Sequence, residues 1–265
     1  MGELRFTILG CGSSGGVPRL GGQWGDCDPN NPKNNRRRCS MLVERDGPDG
    51  TTSVLIDTSP DMRSQLLDAQ VGRLDAVVYT HSHADHVHGL DDLRMIVFNM
   101  KTRVPVYADA ETEQALISRF GYAFIQPEGS SYPPILDLHR IDGPFTISGP
   151  GGVISLRPFQ VKHGAIDSLG FRIHDVAYLP DVSEIYDDAL PELENLDCWI
   201  LDALRRSPHP THFNLDTALD WIKRMAPKRA VLTNLHNDLD YATLEAETAD
   251  HITPAYDGMV VQFKI

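Results

Sequence analysis

Short apolar runs of strand type alternate with amphipathic runs of helical period along most of this chain. Residues 4–9 alternate Leu, Phe and Ile with Arg and Thr, the period of a half-buried strand, and stop at a glycine-rich turn over 10–16. Residues 40–43 and 54–57 read as two further strands around the Gly47-Pro48-Asp49-Gly50 turn. Residues 60–69 suit a helix with Ser59 as its cap, and 91–97 a second helix. Between them, 75–80 is a short buried strand with Ala-Val-Val-Tyr at its centre. Further strands are predicted at 104–107, 154–161, 169–173, 176–179, 198–201, 230–235 and 259–263. Helices are predicted at 112–120 and 215–225; in the latter, Leu215, Leu219 and Ile222 recur at helical spacing. The Pro- and Gly-rich stretch 126–150 reads as a surface insertion. Strands dominating the first third, then strands with interspersed helices, predict two packed sheets with helices outside, an α/β fold.

A chain of 265 residues suits one large α/β domain or two small ones and needs no disulfide to fold. The net charge of −13 argues against a general binder of nucleic acid or anionic membrane, though residues 33–38 form a candidate local basic patch. Cys11, Cys27, Cys39 and Cys198 are scattered without a CxxC pair, which fits reduced thiols in a reducing compartment. The segment Met1-Gly2-Glu3-Leu4-Arg5-Phe6 lacks a basic region followed by an apolar run, and Phe6 breaks the myristoylation pattern. No apolar run is long enough to cross a bilayer. The expectation is a soluble cytoplasmic protein.

The strand at 75–80 runs into Thr80-His81-Ser82-His83-Ala84-Asp85-His86-Val87-His88-Gly89. His81 and His83, two apart, share a side of an extended segment, and Asp85 and His86 follow where the chain turns. Buried in a core, so many imidazoles would be hard to satisfy with hydrogen bonds. As convergent ligands, imidazole and carboxylate suit zinc, manganese or iron, and the carboxylate lowers the charge of a two-metal site. His88, at the expected helix start, reads as a surface or supporting group.

The HxHxDH motif after a short hydrophobic strand resembles the signature of the metallo-β-lactamase superfamily. His163 in Val161-Lys162-His163-Gly164, Asp181 in Tyr178-Leu179-Pro180-Asp181 and His236 in Thr233-Asn234-Leu235-His236 match its later landmarks in order. The resemblance implies a four-layer αββα sandwich forming one domain over residues 1–265. It also implies two divalent metal ions: His81, His83 and His163 on one, Asp85, His86 and His236 on the other, and Asp181 bridging. Within the superfamily the chain resembles the phosphoribosyl cyclic phosphate phosphodiesterases, relatives of RNase Z. The matching residues are Gly10-Cys11-Gly12-Ser13-Ser14-Gly15-Gly16-Val17-Pro18, Trp24-Gly25, Arg36-Arg37-Arg38-Cys39-Ser40, Gly89-Leu90 with Arg94, His212-Phe213-Asn214 and Leu239-Asp240. Two departures stand out. In those enzymes the last ligand directly follows the strand-end Thr, where this chain has Asn234; positions two apart share a face of an extended strand, so His236, two residues on, can still reach the metal after a small backbone shift. Either Asn234 or His236 holds the last position. Those enzymes also carry a structural zinc on a cysteine cluster; here only Cys27 remains, with Asn237 in place of the histidine, so that zinc is expected to be absent.

The implied reaction is hydrolysis by a water that two metals activate while they neutralise the attacked group. Asp85 would orient the water, and His212, in a loop before a helix, would protonate the leaving oxygen. Arg94 is a candidate for substrate phosphate, because guanidinium matches phosphate oxygens; the Arg36–Arg38 run reads as solvated surface. His209, between two prolines, reads as a loop residue, and His139, His174 and His251, with no motif around them, as structural or exposed. The turn over 10–16 lacks the Lys-Ser/Thr of a P-loop and reads as a tight turn at the site rim. The expected activity is a phosphodiesterase on a small cyclic or nucleotide-like phosphodiester. Rivals are a glyoxalase II-like thioester hydrolase, an RNase Z-like nuclease, disfavoured without a basic arm, and a non-catalytic nucleotide-binding protein. The sequence allows a homodimer and predicts neither a membrane partner nor strong nucleic-acid binding.

Overall fold

In the computed structural model, which describes residues 2–265, the chain forms two compact units. The first takes the segment up to Leu9, Ser40–Ser155 and Val260–Ile265; the second takes Gly10–Cys39 and Leu156–Met259.

The first unit is built on a sheet of β1 (Glu3–Gly10), β2 (Ser40–Gly47), β3 (Gly50–Ile56), β4 (Ala76–Val78), β5 (Val104–Ala108), β6 (Leu136–Arg140) and the closing β15 (Met259–Lys264). Their order is β15-β1-β2-β3-β4-β5-β6. β2 and β3 form an antiparallel hairpin, whereas β3, β4, β5 and β6 run parallel. Parallel strands need both faces covered, and both faces of these are apolar. Leu42, Leu55, Val77 and Val106 pack against Leu66, Leu93, Ile96 and Leu116 of α1 (Met62–Asp68), α3 (Leu93–Met100) and α4 (Ala110–Phe124). Met41, Val43, Val54, Ile56 and Val78, on the opposite face, are also buried. Each such side chain contributes about 1.5–3 kcal/mol of burial.

The second unit carries β8 (Gly152–His163, which starts in the first unit), β9 (Ile166–Ile173), β10 (Val176–Leu179), β11 (Glu184–Ile185), β12 (Cys198–Asp202), β13 (Ala230–Thr233) and β14 (Ile252–Pro254), ordered β11-β8-β9-β10-β12-β13-β14. β10, β12, β13 and β14 are parallel. Trp199, Leu201, Ala230 and Leu232 pack with Leu193 of α5 (Leu190–Leu193), Ala218 and Ile222 of α6 (Leu215–Met225) and Leu244 of α7 (Tyr241–Glu247). α6 has the predicted bounds. Its cap residue Asn214 accepts a hydrogen bond from Thr217 N at 3.3 Å, and Lys223 and Arg224 in its last turn complement the helix dipole.

The structure departs from the sequence reading in places. The stretch 126–150 holds two strands, β6 and β7 (Phe145–Gly149), the first at the sheet edge beside β5. Leu136 and Leu138 do alternate with charged residues there, but flanking Pro and Gly hid the period. The helix expected from 60 starts at Met62, with the Ser59 hydroxyl accepting from Asp61 N at 3.1 Å. The strand expected over 230–235 stops at Thr233, because Asn234 takes a left-handed conformation, φ 61°. Residues 33–38 are no open basic patch: the Arg36 side chain is buried, and Arg37 Nε pairs with Asp257 at 2.9 Å. Among the described residues no helix is long and apolar enough to cross a membrane.

The histidine motif is locked to β3 by backbone contacts. Thr58 N donates to His86 O at 2.8 Å, and Gly89 N donates to Thr58 O at 2.9 Å. A Cβ on Gly89 would lie 2.1 Å from Ser59 O, a backbone atom that cannot swing away. Gly89→Ala should therefore cost about 1–3 kcal/mol, seen as a lower urea midpoint at unchanged slope. An unaltered midpoint would show that this junction tolerates movement.

Candidate metal centre

In the first unit the chemistry starts where parallel strands end, the usual place for a ligand site in α/β sheets. β4 delivers the chain into the histidine motif, and α2 (Ala84–Val87) forms its turn. The rings of His81 and His83 lie 4.6 Å apart between centroids, those of His81 and His86 4.3 Å, and Asp85 Oδ2 is 3.6 Å from His86 Nε2. His81, His83, Asp85 and His86 are thus brought together as predicted.

Asp57, just after β3, organises them. Its fully buried carboxylate accepts from Thr80 N at 2.8 Å, from the Thr80 hydroxyl at 2.8 Å and from His86 Nδ1 at 2.7 Å. Because the Thr80 hydroxyl spends its proton on Asp57, its oxygen is left to accept from His81 Nδ1 at 3.0 Å. Both rings therefore carry their proton on Nδ1, which makes Nε2 the lone-pair nitrogen. Burial raises the Asp57 pKa, and the interactions with His86 and Thr80 oppose the rise. Sequence reading missed Asp57; the available signal was a carboxylate closing the apolar run Val54-Leu55-Ile56.

The second unit offers a matching arrangement. His163 ends β8, and its Nδ1 donates to Thr211 O at 2.7 Å, again leaving Nε2 as the lone-pair nitrogen. Gly164, at φ 66°, permits that approach, since a Cβ there would meet Thr211 Cγ2 at 2.4 Å. One ligand atom each from His163, Asp181 and His212 lie within 4.8 Å of one another. Asp202, at the end of β12, accepts from His212 Nδ1 at 2.9 Å and from Val182 N at 3.1 Å. Burial lifts Asp202 to a pKa of about 6 against the pull of His212. The Asn234 amide donates to Pro180 O at 3.0 Å, Asp202 Oδ1 at 3.2 Å and Asp181 Oδ1 at 3.3 Å. Asp202 and the seating of Asn234 were also missed by sequence reading.

One expected ligand lies elsewhere. His236 is not part of the His163–Asp181–His212 group; its Nδ1 is 3.1 Å from Asp238 Oδ1 and its Nε2 meets the Arg19 guanidinium. A face shared by positions two apart requires an extended strand, and the left-handed Asn234 ends it. Arg94 pairs with Asp91 at 2.9 Å and lines a cavity of about 460 Å³ with Tyr122, Tyr132, Pro133 and Ile135. His88 packs edge-on against Phe120, and His139 stacks on Tyr107. The 10–16 turn is tied to Asp257, which accepts from Cys11 N at 3.2 Å and Arg37 N at 2.8 Å.

The donor set fits divalent cations. Neutral imidazoles whose Nδ1 protons go to a carboxylate, a hydroxyl or a carbonyl are how metal-binding histidines are held, with the other nitrogen turned to the ion. The buried carboxylate Asp57 serves this purpose for His86, and Asp202 holds His212 in the same way.

Comparison with known proteins agrees. The profile of the β-lactamase superfamily domain matches residues 52–234. The crystal structure of a diphosphatase of the PhnP family is 36% identical, covering 99% of this chain and 98% of that one, with a TM-score of 0.86. Zinc-bound PqqB from Methylobacterium extorquens is 20% identical over 97% of this chain and 99% of that one, with a TM-score of 0.73, a likeness of fold. An octanoyltransferase of Porphyromonas gingivalis is 34% identical over 97% of this chain, which spans about half of that protein's length, 51%. The chain therefore belongs to the metallo-β-lactamase superfamily of metal-dependent hydrolases, has its αββα sandwich fold and resembles its phosphodiesterases.

Proposed function

We propose that this protein is a phosphodiesterase that hydrolyses a small cyclic or nucleotide-like phosphodiester with the help of two divalent cations, zinc or manganese, iron also suiting the donors. The observation that carries the reading is the fixed Nδ1 protonation of His81, His86 and His163, each set by a hydrogen bond from the protein's own frame. His81, His83 and His163 would hold one cation, Asp85 and His86 the other, with Asp181 shared. Bound there, the cations would neutralise charge on the phosphate oxygens and lower the pKa of a water. Asp85 accepts a hydrogen bond from that water and sets its direction. His212, with Nδ1 held by Asp202 at 2.9 Å, gives the proton on Nε2 to the leaving oxygen. The similarity to a diphosphatase supports phosphorus, rather than a thioester carbonyl, as the atom attacked.

Asn234 stands where a ligand histidine is expected, and His236 is engaged by Arg19 and Asp238. The second cation would then have two imidazoles fewer than the first and would bind more loosely. The aromatic cavity beside Arg94 gives the organic part of the substrate a seat. Four buried thiols without disulfides fit a reducing cytoplasm.

Three outcomes are expected. His83→Ala should keep its circular dichroism and cooperative unfolding but lose bound metal and activity on the order of 100-fold or more, since even supporting groups cost 10–100-fold; undiminished metal content would remove the motif from the site. His212→Ala should retain metal and slow alkyl phosphodiesters by ~10²–10⁴-fold, with much less effect on nitrophenyl esters, which need no proton. Equal slowing of both, or loss of metal, would make His212 something other than the acid. Asn234→His should raise metal stoichiometry after dialysis towards two per chain, measured by elemental analysis. A stoichiometry equal to that of the unaltered protein would show that this position does not limit the second cation.

A further inference from the structure

The sequence reads His209 as a loop residue, yet the second unit turns its ring inward. Pro208 and Pro210 on either side are exposed, while His209 between them is half-buried. Its ring lies 5.2 Å from that of His212, centroid to centroid, and the His212 ring lies 4.7 Å from that of His163. Proline fixes its own φ and keeps the residue before it extended, so Pro210 restrains the His209 backbone. Arg205 secures the approach by donating to Ser207 O at 3.1 Å and Pro208 O at 2.6 Å. The loop therefore delivers this ring to one place, beside His212.

The ring carries its proton on the opposite nitrogen from its neighbours. Thr211 N donates to His209 Nδ1 at 3.3 Å, and the Thr211 hydroxyl lies 3.1 Å from the same nitrogen. A backbone N–H can only donate, so Nδ1 is the acceptor and the proton of the neutral ring sits on Nε2. His163 and His212 are held the other way round, each giving its Nδ1–H to the protein, to Thr211 O at 2.7 Å and to Asp202 at 2.9 Å. In His163 that leaves a lone pair on the nitrogen the protein does not bind, which suits a cation. In His209 the unbound nitrogen carries the N–H, which suits an oxygen with negative charge. Accordingly, His209 lies outside the groups of ligand atoms that could hold an ion, and its Nε2 has no hydrogen-bond partner among the described residues.

The geometry points to His209 as a further catalytic residue: a neutral imidazole whose Nε2–H donates a hydrogen bond to a non-bridging phosphoryl oxygen of the substrate, while His212 serves the leaving oxygen. This rests on the phosphodiesterase reading and adds a group to it. Both oxygens are bonded to one phosphorus, so two neighbouring rings can reach them together. A donor fixed in place before the water attacks needs no reorganisation as charge shifts onto the phosphoryl oxygens. The prolines and the Thr211 contacts supply that fixity, and Nε2–H is the one polar group of the ring they leave available.

Two substitutions separate the nitrogens of the ring. An Asn oxygen takes the place of Nδ1, since Asn accepts from the backbone N–H two residues on, as Nδ1 does here. A Gln amide donates from the place of Nε2. In the metal-loaded full chain acting on bis(4-nitrophenyl) phosphate, His209→Asn should keep its metal content, leave KM little changed and lower kcat on the order of 100-fold. His209→Gln should recover most of that loss. The opposite order, equal loss in both variants, or full activity in His209→Asn would make the ring a brace for its loop and overturn the proposal. Nitrogen-15 NMR of the histidine-labelled, zinc-loaded protein gives a readout independent of turnover. The His209 ring should show the Nε2–H tautomer, and inorganic phosphate should shift Nε2 more than Nδ1. The Nδ1–H tautomer, or a ring indifferent to phosphate, would overturn it as well. If the unaltered, metal-loaded protein cleaves no phosphodiester, the phosphodiesterase reading falls, and the response to phosphate still decides whether His209 meets an oxyanion.

Discussion

Two carboxylates, Asp57 and Asp202, are each fully buried at the end of a parallel strand, and each is tied to an imidazole. Burying a carboxylate is costly unless it is hydrogen-bonded and paired, and removing the partner of such a group exacts the full penalty. That penalty works in favour of order. His86 cannot turn from Asp57, nor His212 from Asp202, without stranding a charge in the core. Ring orientation and proton position at the site are therefore set by the fold's own electrostatics before any ion or substrate arrives.

The sheets make this possible. β3 ends next to β4, so Asp57 lies beside Thr80 and the first histidines; β12 ends between β10 and β13, so Asp202 lies among Asp181, His212 and Asn234. The strand interiors are apolar on both faces and hold the ends in register, while the polar residues gather at the last paired position, as Asp202 does, or just past it, as Asp57 does. Glycine allows two close approaches beside these strand ends, Gly89 against the Ser59 backbone and Gly164 against the Thr211 side chain.

Much of this was legible in the sequence. Strong apolar runs gave most strands and the bounds of α6, and the density of imidazoles in residues 81–88 marked the site because no ordinary core could satisfy them. The carboxylates behind the histidines were not legible: Asp57 and Asp202 each close an apolar run, where an acid normally signals only the start of a loop. The place of His236 turned on one backbone angle. Strand periodicity extends through residue 235 on paper, yet Asn234 adopts φ 61°, a conformation open to asparagine, and the ring that follows turns to Arg19. The strand β6 was hidden by neighbouring prolines and glycines, and the burial of Arg36 by its place in a basic run. Its guanidinium donates to Leu239 O at 2.7 Å, Asn34 Oδ1 at 3.2 Å and His236 O at 3.2 Å, a use that composition alone does not reveal.

The central claim is that these ordered imidazoles and carboxylates are cation ligands. Calorimetric titration of the metal-free protein with zinc or manganese tests it most directly. The account predicts two binding events of unequal affinity per chain, with protons released in proportion to the histidines that bind protonated. A folded protein that takes up neither ion at millimolar concentration would contradict it.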